Sequence, residues 1–136
     1  MKINRNTIQS LLLLFLFPLV TNAQKSSEVF RASGSPHNPK VSISFNRYYT
    51  SEGLATLSKK IAEAHPNLVK RQSIGKSAKG KDIWMLAVTN YKEGNADRKP
   101  AFYVDGNIHS NEIQGGEISI YTAWYLTENF GHNDYI

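Results

Sequence analysis

The chain has 136 residues, of which 40% are hydrophobic and 20% charged, with a formal net charge of +5 and no cysteine. This is an ordinary globular composition, sufficient for at most one domain or part of one. The absence of cysteine excludes a disulfide framework, so a folded domain must rest on its core or on a metal. The basic residues stand in singles and pairs without interleaved aromatics, which excludes a nucleic-acid-binding run.

The first residues read as a transport address. Lys2 and Arg5 precede the apolar run Leu11-Leu12-Leu13-Leu14-Phe15-Leu16-Phe17, and Thr21-Asn22-Ala23 closes it with small residues. That is a signal peptide over 1–23, with cleavage expected before Gln24. The run is shorter than the roughly 20 apolar residues of a membrane span, so no stable span is expected after cleavage. Removal takes Lys2 and Arg5 and no acid, leaving 113 residues with a net charge of +3. Secretion, or export to a bacterial periplasm, is the expected localisation.

Residues 24–44 are polar, with Ser26-Ser27, Ser33-Gly34-Ser35-Pro36 and Asn38-Pro39, and read as a flexible leader. Phe45, Tyr48 and Tyr49 lead into a helix expected over 51–64, with Thr50 as its N-cap and Leu54, Leu57 and Ile61 on its apolar face. Pro66 stops that helix. His65, in its last turn, reads as a cation at the negative end of the helix dipole rather than as a ligand. A strand over 68–74, a polar turn with glycines at both ends over 75–81, and a nearly continuous apolar strand over 83–88 predict a β-hairpin. The turn carries Gly75, Lys76, Ser77 and Gly80 but lacks the order of a phosphate-binding loop.

After a polar connection over 90–99, Pro100 opens an apolar stretch, 101–104, expected to be a central strand. A helix is expected over 113–130, with Ile113, Ile120, Ala123 and Trp124 sharing its buried side. Gly115 and Gly116 are unfavourable inside a helix, by roughly 1 kcal/mol each against alanine, and fit a close approach of helix and sheet. Strand and helix are joined by Asp105-Gly106-Asn107-Ile108-His109-Ser110-Asn111-Glu112. Loops at the carboxyl ends of strands are where open α/β sheets place their chemistry.

Zinc takes histidine nitrogen and carboxylate oxygen. A His-x-x-Glu spacing puts His109 and Glu112 within one turn of each other, one in the loop and one at the helix start. Blander readings exist for each residue. Glu112 can be a first-turn acid, Asn111 an N-cap with Gln114 as its capping-box partner, and Asp105-Gly106 a hairpin turn.

Two blocks together resemble the zinc carboxypeptidase family of carboxypeptidase A-like metallopeptidases. One is Ile74-Gly75-Lys76-Ser77-Ala78-Lys79-Gly80-Lys81-Asp82-Ile83, similar to that family's first hairpin turn. The other is the 105–112 block, similar to its first zinc motif. The resemblance covers about 45–136 and implies the N-terminal part of an α/β catalytic domain: a mixed, mainly parallel sheet with helices on both faces. It implies Zn2+ held by His109, Glu112 and a histidine further along the chain, with a general base also expected beyond Ile136. It implies hydrolysis at the C-termini of peptides or proteins. The family often has arginine directly before the zinc glutamate; Asn111 stands there instead, as a candidate substrate-binding residue without the charge. His132 lies in a polar loop and does not read as the third ligand. The competing functions are a zinc-dependent deacylase of acylated amino acids and a non-catalytic remnant or binding module.

Overall fold

The computed structural model describes residues 32–136. The expected signal peptide, 1–23, and the first part of the leader lie outside the described residues. The elements are α1 (Ser51–Ala64), β1 (Val69–Lys76), β2 (Asp82–Val88), two short 3-10 turns (Tyr91–Glu93 and Ala96–Arg98) and α2 (Gln114–Asn129).

Helix α1 forms where its local signals place it. The Thr50 hydroxyl accepts the Gly53 N–H at 3.1 Å, satisfying one of the donors that a helix start leaves unpaired. His65 is the C-cap, its N–H donating to Ile61 O, and Pro66 prevents continuation. Leu57 and Ile61 are buried.

β1 and β2 pair antiparallel from Val69↔Val88 to Lys76↔Asp82, with an irregularity between Ser73 and Gly75. At the tip, Ser77 N–H donates to Lys81 O, and Gly80 takes a left-handed φ of 74°. The hairpin is fastened to α1 by side chains. Arg71 Nε donates to Ser58 Oγ at 2.9 Å, while its guanidinium lies 3.2 Å from the centroid of the Trp84 ring. Lys81 Nζ pairs with the Glu52 carboxylate at the start of α1 and holds its pKa down to about 2.

The core is built between α1, α2 and the segment that enters α1. It comprises Val41, Ile43, Leu57, Ile61, Val69, Ile120 and Trp124. Phe45, Tyr121 and Trp124 stack around it, with Phe45 and Tyr121 edge to face at 5.1 Å. The described part of the leader therefore does not run free. Trp124 Nε1–H donates to Val41 O at 2.7 Å, the Glu128 carboxylate accepts the N–H groups of Lys40 and Val41, and Tyr121 O–H donates to Ser33 O. Alternation in Val41-Ser42-Ile43 turns the two apolar side chains inward and Ser42 out to solvent.

Two expectations are corrected. Residues 101–104 are not a strand, and Phe102 and Tyr103 are 93% and 80% exposed. A strand requires a neighbour's backbone, and among the described residues β1 and β2 pair only with each other. Ile113 is the N-cap of α2 and half exposed rather than part of its buried side, and no side chain caps that helix. Asn111 therefore does not cap it. The described residues form a mixed helix-and-strand unit with a two-stranded antiparallel sheet.

Candidate metal centre

The two residues singled out by their spacing are brought together. Glu112 N–H donates to His109 O at 2.9 Å, closing a turn, and Gly115 N–H donates to Glu112 O as the chain winds into α2. In such a turn the side chains three positions apart share one side. His109 Nδ1 lies 3.1 Å from Glu112 Oε1. Both side chains reach solvent, at 71% and 57% exposure, so an ion has access to them. The loop before them turns at Asn107, the one non-glycine residue at positive φ (67°) among those described, a conformation that asparagine tolerates better than most side chains.

The donor set fits zinc in kind and in spacing. One imidazole nitrogen and one carboxylate oxygen converge, and neighbouring ligands of tetrahedral zinc are about 3.3 Å apart when each lies about 2 Å from the ion. It falls short in number. Among the described residues, no group of three or more His, Cys, Asp or Glu side chains could hold a metal by itself. His132 lies on an exposed turn after α2. Asn111 is exposed immediately before Glu112. Gln114 Nε2–H donates to the Tyr48 hydroxyl at 3.3 Å, tying the start of α2 to the approach of α1.

A second polar cluster was not anticipated. His65 Nε2 lies 2.9 Å from Glu128 Oε1, and both side chains are almost fully buried. Glu117 accepts the Tyr49 N–H at 2.8 Å. Both glutamates lie on the stripe of Ile120 and Trp124, at helical spacings of three and four. A carboxylate on an apolar stripe must find buried donors, and that was the available signal. His65 belongs to this internal clamp and stands apart from His109 and Glu112.

Comparison with known proteins bears on the same loop. The sequence profile of the family described as zinc carboxypeptidase matches residues 54–136. Carboxypeptidase D of Drosophila melanogaster is 26% identical over 129 residues, covering 89% of this chain and 9% of the relative. Carboxypeptidase M of Mus musculus is 29% identical over 84 residues, covering 62% of this chain and 19% of the relative. Carboxypeptidase Z of Rattus norvegicus is 35% identical over 72 residues, covering 53% of this chain and 11% of the relative. The chain thus spans 9 to 19% of the length of these relatives.

Proposed function

The chain belongs to the zinc carboxypeptidase family, and from that premise we propose that it carries the first two zinc ligands, His109 and Glu112, of an exported metallocarboxypeptidase. The observation that carries this reading is the 3.1 Å convergence of an imidazole and a carboxylate, both open to solvent, within the stretch that matches the family. Bound zinc would polarise a carbonyl and acidify a water. The chain's own part is to hold two donors on one turn, with His109 in the loop and Glu112 at the mouth of α2. Asn111, beside them, is proposed to face the substrate and offers an amide where a charge is absent. The proposed substrate is the C-terminus of a peptide or protein, as the relatives' names indicate.

The proposal includes a third histidine ligand and a general base supplied from beyond Ile136, within a mixed, mainly parallel sheet carrying helices on both faces. It also includes the division into a signal peptide (1–23), a leader (24–44) and the N-terminal part of the catalytic domain (45–136). No helix among the described residues is long and apolar enough to cross a membrane.

Calorimetric zinc titration of the chain tests the site. His109→Ala and Glu112→Ala are each expected to weaken binding at least tenfold, because each removes half of a two-donor set. Equal affinity in the wild type and both variants refutes the assignment. For the reaction, loss of C-terminal residues from a peptide, measured on the chain extended to the length of its relatives, supports the peptidase. Release of an acyl group instead, or no turnover with zinc bound, overturns it.

A further inference from the structure

Residues 101–112 run exposed and without a strand ladder, yet His109 and Glu112 meet at hydrogen-bonding distance. Something other than a sheet must seat this loop. A Cβ built on Gly106 would lie 2.2 Å from Gly115 O and 2.4 Å from Gly115 C. A Cβ built on Gly115 would lie 2.6 Å from Asn107 N and 3.1 Å from Gly106 Cα. The backbone of the loop thus rests directly on the backbone of the first turn of α2. Neither glycine is required by its φ, since Gly106 and Gly115 are absent from the positive-φ residues. In a helix, glycine is the poorest residue after proline, so Gly115 has no local reason to be there. Its reason is the contact.

We infer that Gly106 and Gly115 are positioning residues: a backbone-on-backbone seat that fixes the loop carrying His109 and Glu112 against the first turn of α2. The functional consequence rests on the zinc reading above. Backbone atoms cannot swing aside as a side chain does, so a methyl group at either position lifts the loop. His109, three residues beyond Gly106, is displaced relative to Glu112, whose carbonyl accepts the Gly115 N–H at the foot of α2. Gly116 makes a different contact. A Cβ there would meet Leu54 Cδ1 at 2.7 Å, the mobile end of a side chain in α1. It serves the packing of the two helices and supplies the control.

The test compares Gly106→Ala, Gly115→Ala and Gly116→Ala in the 136-residue chain, with zinc alone as the probe. In a helix without the seat, Gly115→Ala would raise helicity and leave binding unchanged. With the seat, far-ultraviolet circular dichroism is expected to show equal or greater helicity while zinc affinity falls tenfold or more. Gly106→Ala is expected to match that fall, and Gly116→Ala to stay within twofold of wild type. In the metal-free chain, amide resonances of residues 106–109 are expected to shift in Gly115→Ala and to hold still in Gly116→Ala. Unmoved amides, or wild-type affinity in Gly115→Ala, overturn the inference. If zinc binding proves indifferent to His109 and Glu112, the metal reading fails separately and the amide shifts alone decide the seat.

Discussion

Residues 41–45 and 101–104 are both short apolar stretches with no place in a sheet, and they meet opposite conditions. Val41 and Ile43 are 6% and 3% exposed, while Phe102 and Tyr103 are 93% and 80% exposed. The second stretch is the more apolar of the two. The difference lies in what each backbone meets. Around 40–41, α2 supplies the Trp124 indole N–H for a carbonyl and the Glu128 carboxylate for two amides. An extended segment with its polar backbone groups satisfied can be buried, and its side chains follow. Residues 101–104 meet no such donors or acceptors among the described residues, so their apolar side chains stay in water. Partners, more than hydropathy, decide which stretch joins the core.

The largest expected effect comes from removing the partner at the centre of the buried region. Trp124 is 1% exposed, contacts the aromatic cluster and holds Val41. Trp124→Ala is expected to destabilise the chain by about 3–5 kcal/mol, through a cavity and an unpaired carbonyl, in chemical denaturation. A smaller loss is expected for Glu128→Gln, about 2 kcal/mol. The amide keeps the shape but turns one acceptor into a donor facing the N–H of Lys40 or Val41. If denaturation midpoints for either variant matched wild type, the burial of Val41 and Ile43 would not depend on α2 as argued.

What could be read from sequence follows the range of the interactions. The Thr50 cap, the Pro66 stop, the glycine-bounded hairpin turn and the His109–Glu112 pair are each settled within a few residues, and a short-range pattern shows them. The anchoring of Val41 joins residues 83 and 87 positions apart, which no local pattern records. The same limit explains residues 101–104. Their composition reports an aptitude for a sheet interior, and the neighbour that would complete it is a separate fact. Of the candidate site, the convergence of His109 and Glu112 follows from their spacing, whereas Gly115 reads in the sequence only as a close approach of helix and sheet, and the surface it meets is the backbone of Gly106 and Asn107.

A smaller effect is expected at the exposed tie between hairpin and helix. The Lys81 ammonium, by hydrogen bond and charge, holds the Glu52 carboxyl at about 2 against an ordinary 4.5. The folded chain thus favours the ionised form more than the unfolded chain does. The pair stabilises above pH 4.5, and its contribution fades as pH falls from 4.5 towards 2. Glu52→Gln is expected to match wild type near pH 2 and to fall slightly below it at neutral pH, by only a small amount because solvent screens an exposed pair, so that part of the melting-temperature profile flattens. A profile identical to wild type from neutral pH down to pH 2 would show that the tie is not formed in solution.

The smallest expected effect falls on the other stretch, and it is the sharpest check of the contrast. Phe102 has nearly all of its surface in water in the folded chain, so folding removes almost none of it from solvent. Phe102→Ser should therefore change unfolding free energy by no more than about 0.5 kcal/mol, despite deleting a large aromatic ring. Ile43→Ser, by contrast, removes a side chain 3% exposed and belongs with the large losses. An aromatic in water does matter for association, because exposed apolar surface is what chains bury against one another. Sedimentation of Phe102→Ser should accordingly show less self-association than wild type at equal concentration. A loss of about 2 kcal/mol or more in Phe102→Ser would mean that 101–104 is covered in solution, and the contrast between the two stretches would collapse.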